Sequence, residues 1–175
     1  MTRDERISIL GGTFTPIHNG HRALFHTAFQ TASYDGAGTG HVVVALTTTE
    51  LAKRTRSDPS HAELLGPFQK RREGLETELD RIGGAYPASW EVVELEDTYG
   101  PAGTREDVDA LIVSPEAKAQ ARANELNDHR VSNGLDPLEI HTAPFVVAED
   151  GERISSTRIR NGEIDSDGRL LNGSG

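Results

Sequence analysis

Apolar residues fall into two patterns that take turns along the chain. Short apolar runs at Ile7–Leu10 and Val42–Leu46 read as buried strands, the apolar-rich stretches Trp90–Leu95 and Val108–Val113 as further strands, and Leu138–Val147 as one more. Between them run stripes at helical spacing. Leu24, Phe25, Ala28, Phe29 and Ala32 follow an Asn19 cap, and Phe68, Leu75, Leu79 and Ile82 follow Pro67. A third helix is predicted from the Ser114-Pro115 start to about Val131, and Ser155–Asn161 opens a last short one. Ser57–Gly66 reads as a capped turn, and Gly36-Ala37-Gly38-Thr39-Gly40 as a flexible connector. Strands alternating with helices predict an α/β fold with a mostly parallel sheet covered on both faces. No repeat or linker divides the chain, so one domain is expected over residues 1–168. From Asp165 the sequence turns polar and glycine-rich, which predicts a flexible tail over residues 169–175.

Sheets of this kind bind ligands where strand C-termini meet helix N-termini, so chemistry is sought in the strand-to-helix turns. Two stand out. Gly11-Gly12-Thr13-Phe14-Thr15-Pro16-Ile17-His18-Asn19-Gly20-His21 joins the first strand to the first helix. Its glycines allow close backbone approach, Gly20 leaves room for a bulky anion, and the helix start offers unpaired N–H groups to phosphate. It is neither a Walker loop nor a zinc-protease helix, because neither Gly-Lys-Ser/Thr nor His-Glu-x-x-His is present. The second is Ile154-Ser155-Ser156-Thr157-Arg158-Ile159-Arg160, three hydroxyl residues at a helix start with two arginines that cannot both point the same way. His26, His41, His61, His129 and His141 show no ligand spacing.

Charge narrows the ligand class. The 175 residues carry 18 Lys and Arg against 28 Asp and Glu, a net charge of −10. That balance argues against binding nucleic acid or an anionic membrane, but leaves room for a small anion in a local basic pocket. Only three of the basic residues are lysine (Lys53, Lys70, Lys118). Such an acidic, lysine-poor chain suits a salt-rich cytoplasm, where screening relieves self-repulsion, although an ordinary acidic protein has the same balance. The absence of cysteine removes disulfides and thiolate chemistry. The start MTRDERISIL lacks a signal-peptide core and no apolar run reaches transmembrane length, so a soluble cytoplasmic protein is expected.

The first turn resembles the signature of the nucleotidyltransferase superfamily, Gly-Gly-Thr-Phe-Asp-Pro-x-His/Thr-x-Gly-His, with Thr15 where an acidic residue is usual. The second resembles that superfamily's distal Ile-Ser-Ser-Thr-x-Ile-Arg motif, and the two occur in the right order. Asp97-Thr98-Tyr99-Gly100-Pro101, Ala110–Glu116, Asn127-x-x-Arg130, Ala148-Glu149-Asp150-Gly151 and Arg158–Asp165 resemble phosphopantetheine adenylyltransferases of the archaeal and eukaryotic type. The likeness runs from about Ile7 to Gly168, and its last stretch is most like archaeal members. It implies a Rossmann-like, doubly wound parallel sheet. It also implies adenylyl transfer from ATP to 4′-phosphopantetheine, giving 3′-dephospho-coenzyme A and pyrophosphate. Mg²⁺ would be carried by ATP, with no protein side chains as metal ligands.

The resemblance places Gly12, Thr13, Phe14 and Ile154 against the nucleotide or its phosphates, with Thr13 also against the acceptor substrate. His21 would lie on the α-phosphate, with His18 supporting the triphosphate or fixing the turn. Ser155, Ser156 and Thr157 would hold nucleotide phosphates, with Arg158 or Arg160 near the pyrophosphate end. Lys53 would neutralise both substrates and Arg71 would bind the acceptor. Asn127 and Arg130 would line the site or else cap and solvate their helix. A nicotinamide or nicotinate mononucleotide adenylyltransferase shares both turns, and a nucleotide sensor without turnover is the alternative of another class.

Overall fold

A computed structural model describes residues 5–33, 39–56 and 63–171. Five parallel strands form one sheet in the order β3-β2-β1-β4-β5. They are β1 (Glu5–Gly12), β2 (Thr39–Thr47), β3 (Ala88–Leu95), β4 (Ala110–Val113) and β5 (Glu139–Thr142). The helices are α1 (Asn19–Ala32), α2 (Thr49–Thr55), α3 (Phe68–Gly83), α4 (Ala117–Ser132) and α5 (Ser156–Arg160).

Alternation along β1 and β2 explains the layers. Leu10, Val42, Val44 and Leu46 face one side and pack with Phe25, Phe29, Leu75 and Leu79 of α1 and α3. Ile7, Ile9 and Val43 face the other, against Ala123 and Leu126 of α4. Ser8 Oγ, fully buried, donates to Ala28 O at 2.9 Å, which ties α1 to β1 without an unpaired polar atom. The chain adds β2 and then β3 on one side of β1 before crossing to β4 and β5 on the other. The order therefore reverses between β1 and β4, where such sheets bind ligands.

Several expected boundaries shift. Asn19 does not cap α1; His18 does. Glu116, not Ser114, stands at the N-cap of α4, and no side chain caps that end. The last strand stops at Thr142, and Ala143–Arg153 forms an extended loop closed by a Val147–Arg153 bridge. α2 follows β2 as a helix that apolar periodicity does not announce, because only Leu51 and Ala52 are buried in it. Gly40 of the connector lies within β2, and residues 57–62 of the expected turn lie outside the described residues. The tail is hydrogen-bonded as far as it is described: Asp165 N–H donates to Arg169 O at 2.9 Å and Leu171 N–H to Glu163 O at 3.0 Å. Residues 172–175 lie outside the described residues.

Candidate active site

β1 ends in Gly11-Gly12 at the reversal point, and the turn beyond it is built around two histidines. His18 has extended backbone and its Nδ1 accepts from Gly20 N–H at 3.0 Å, while His21 Nδ1 accepts from His18 N–H at 3.3 Å. The rings stack with centroids 3.8 Å apart. A Cβ on Gly20 would lie 2.8 Å from His18 Cε1, so the space left by this glycine is filled by the imidazole and not by an anion. His18 thus fixes the turn.

With each Nδ1 accepting, each neutral ring carries its proton on Nε2. Burial lowers the His18 pKa from 6.5 to about 4, with Arg153 and Arg22 adding to the effect. Burial, then the neighbouring His18, Arg153 and Arg22, lowers His21 to about 3. Both rings are therefore neutral hydrogen-bond donors near pH 7. Phe14 supports them: it is buried, its backbone sits at φ 48°, and its ring meets His21 edge-on at 5.4 Å and Phe25 at 5.3 Å. Its side chain is core, not a surface for a nucleotide. Thr15 Oγ1 donates to Thr13 O at 3.3 Å, a turn bond made without the usual acid.

The second turn docks on the first. Ser155 caps α5 by accepting from Arg158 N–H at 3.2 Å. Ser156 Oγ donates to Pro16 O at 3.5 Å, and Arg160 Nη1 donates to Thr15 O at 3.3 Å. Arg160 Nη2 also reaches Thr157 Oγ1 at 3.4 Å. This geometry separates the two arginines. Arg158 is engaged by Asp150, by Glu163 at 3.4 Å and by Arg153 O at 3.0 Å. Arg160 meets no carboxylate among the described residues and leans on the first turn. Ile154 is 1% exposed and packs with Ala148 and Ile164, so it anchors the segment.

Above the sheet, a cleft of about 780 Å³ opens over the C-terminal ends of β1, β2 and β4, with Gly12, Thr13, Thr47, Arg56, Tyr99 and Ser114 in its wall. Asp97 Oδ1 shapes that wall by accepting from Tyr99 N–H at 3.2 Å and Gly100 N–H at 2.6 Å. Gly100 has φ 55°, and a Cβ there would lie 2.3 Å from Leu95 Cδ1. Arg153, just before the second turn, pairs with Glu116 in the cleft wall at the N-cap of α4.

Other expected site residues are placed differently. Arg71 is 5% exposed: its Nη1 donates to Thr47 O at 2.9 Å, while Nε and Nη2 are buried without a partner. Such a guanidinium is poised for an anion. Lys53 has a half-exposed side chain 3.9 Å from Glu50 and does not line the cleft. Asn127 and Arg130 are struts of the fold. Asn127 donates to Leu138 O at 2.9 Å and accepts from Leu138 N–H at 2.8 Å, which clamps α4 to the start of β5. Arg130, 1% exposed, donates to Asp136 O at 2.7 Å, Ala102 O at 2.6 Å and Arg105 O at 2.9 Å. Arg56 and Arg153 escaped the sequence reading. Arg56 stood within Lys53-Arg54-Thr55-Arg56, a basic cluster in an acidic chain, which was a usable signal.

Among the described residues no three His, Asp or Glu side chains are grouped to hold a metal ion, and no helix is long and apolar enough to cross a membrane. The donor set is cationic and N–H-bearing, suited to phosphate oxygens. A parallel sheet with two interlocked phosphate-type turns at its reversal point defines a nucleotidyltransferase-like protein. Residues 9–162 match the cytidylyltransferase-like family, and the chain belongs to it.

Among individual relatives, the chain is 39% identical to a phosphopantetheine adenylyltransferase of Methanosarcina mazei, over 92% of this chain and 94% of that protein. It is 35% identical to a bifunctional phosphopantetheine adenylyltransferase/NTP phosphatase of Thermoplasma volcanium, over 94% of this chain. It spans only 45% of that longer relative. In fold it is similar to a crystal structure of a protein of unknown function from Archaeoglobus fulgidus. The TM-score is 0.59 at 24% identity, covering 78% of this chain and 96% of that one.

Proposed function

We propose that the chain transfers the adenylyl group of ATP to 4′-phosphopantetheine, giving 3′-dephospho-coenzyme A and pyrophosphate. The observation that carries this reading is the docking of the second turn on the first, through Ser156 and Arg160, beside the cleft at the reversal point of the sheet. The likeness to the Methanosarcina enzyme supports the choice of acceptor.

The acceptor is a phosphate monoester, ionised near neutral pH, so one of its oxygens attacks the α-phosphorus without a strong general base. The bond from the α-phosphorus to its bridging oxygen breaks, and that oxygen leaves on pyrophosphate. The neutral His21 donates its Nε2–H to the α-phosphate as charge builds there, held in place by the His18 stack and the Phe14 edge. Thr13, Ser156, Thr157 and Arg160 hold nucleotide phosphates, and Arg71 faces the acceptor phosphate. Mg²⁺ would arrive on the triphosphate and offset its charge; among the described residues no His, Asp or Glu cluster is grouped to hold it. The low lysine content and the charge of −10 support a salt-rich cytoplasm as the working medium.

A turnover assay with ATP and phosphopantetheine, in dilute buffer and in multimolar KCl, tests both parts. Pyrophosphate release that rises with salt is expected. Release with nicotinamide mononucleotide but none with phosphopantetheine would overturn the acceptor, and tight ATP binding without transfer to any acceptor would make the chain a sensor. Best folding and activity in dilute buffer would remove the salt reading alone.

A further inference from the structure

We propose that Arg56 is a binding and positioning residue that bridges the acceptor's phosphate and the phosphates of the nucleotide. The proposal rests on the adenylyl-transfer reading and deepens it. Arg56 is the C-cap of α2 and lines the cleft beside Thr47, Ala52 and Thr55. Thr47 is also the anchor of Arg71, whose Nε and Nη2 remain buried and unfilled. Arg160, bonded to Thr15 O from the second turn, lies near enough to Arg56 for its charge to act on it.

None of the three arginines pairs with a carboxylate among the described residues, in a chain with 28 acidic side chains to offer. Instead they repel one another. Burial lowers the Arg56 pKa and Arg160 lowers it further, while burial and then Arg56 lower that of Arg71. Arg56 is the member coupled to each of the others, Arg160 acting on it and it on Arg71. Like charges held close together and partly desolvated beside a cleft that Arg56 lines, with two Arg71 donors left over, are unfavourable until an anion enters. The guanidinium fork suits phosphate oxygens in pairs, which a lysine ammonium does not match. Lys53, on the same helix, keeps its side chain near Glu50 and out of the cleft wall, so this corner falls to Arg56.

The full-length chain is tested in two ways. In thermal unfolding, millimolar inorganic pyrophosphate should raise the Tm of the wild type and of Lys70→Ala, which removes an exposed charge next to Arg71. Arg56→Ala should lose most of that shift. In turnover, Arg56→Ala should raise KM for phosphopantetheine about tenfold or more with a smaller change in kcat, a split that a purely structural role would not produce. Should Arg56→Ala fail to fold, Arg56→Lys is read in its place; it keeps the charge without the fork, and a several-fold rise in KM is expected.

An undiminished pyrophosphate shift and wild-type KM in the folded variant would overturn the assignment. So would a shift lost in Lys53→Ala and kept in Arg56→Ala. If pyrophosphate stabilisation depends on Arg56 while the wild type fails to use phosphopantetheine, the anion site stands and the transfer reading falls.

Discussion

Acidification should loosen this protein well before its carboxylates titrate, because two stacked imidazoles are held neutral inside it. His18 and His21 have folded pKa values of about 4 and about 3 against an ordinary 6.5. Below pH 6.5 the unfolded chain binds two protons that the fold excludes, so stability is whole above that pH and is lost as pH falls towards 4. At about 1.36 kcal/mol per pH unit, each ring costs about 2 kcal/mol by pH 5, and the pair at most about 4 kcal/mol. Glu78 adds nothing in this window. Burial opposes its ionisation, yet hydrogen bonds from Arg81 and Arg22 hold its carboxyl below the usual range. The assay is urea unfolding at pH 7.5, 6 and 5, comparing the wild type with His18→Asn/His21→Gln. Asparagine can still cap α1, and neither replacement titrates. The wild type should lose about 4 kcal/mol more than the variant between pH 7.5 and 5. Parallel pH dependence in the two proteins would refute the neutral stacked pair and the tautomers deduced from it.

Two further outcomes follow from the same geometry. His21→Ala removes the one donor assigned to charge developing on the α-phosphate and should lower kcat about 10²–10³-fold in the adenylyl-transfer assay, whereas near-wild-type turnover would show that the ring serves packing alone. Arg130→Met strands the carbonyls of Asp136, Ala102 and Arg105 in the interior. It should destabilise the fold by roughly 3 kcal/mol in denaturant unfolding, with KM unchanged in the folded enzyme, and a selective rise in KM would instead return Arg130 to the substrate site.

Local patterns carried most of the architecture. Runs such as Val42–Leu46 and stripes such as Leu24 to Ala32 each encode their own burial, so strands, helices and the two-faced sheet were legible without any partner. α2 was not, since a helix with two buried residues leaves no stripe to read. The two glycine- and hydroxyl-bearing turns were likewise legible, because their chemistry lies in adjacent residues.

Side-chain assignments were another matter. Arginines 158 and 160 look alike two positions apart, yet Asp150 and Glu163 neutralise the first while the second reaches the opposite turn. Arg71 sits on the Phe68–Leu75–Leu79 face of α3, and an arginine on an apolar stripe was a signal of burial that spacing alone could show. For Asn127 and Arg130 the sequence leaves open whether they line the site or cap and solvate their helix, and Leu138, Ala102 and Arg105, from other parts of the chain, claim their hydrogen bonds instead.

The sequence by itself determined the elements, their parallel arrangement and the two turns that face phosphate, because each follows from neighbouring residues. Only the tertiary structure decided which cations are free to meet a substrate. A charge is spent or available according to the acids and carbonyls that distant segments bring to it, and that pairing has no period to read.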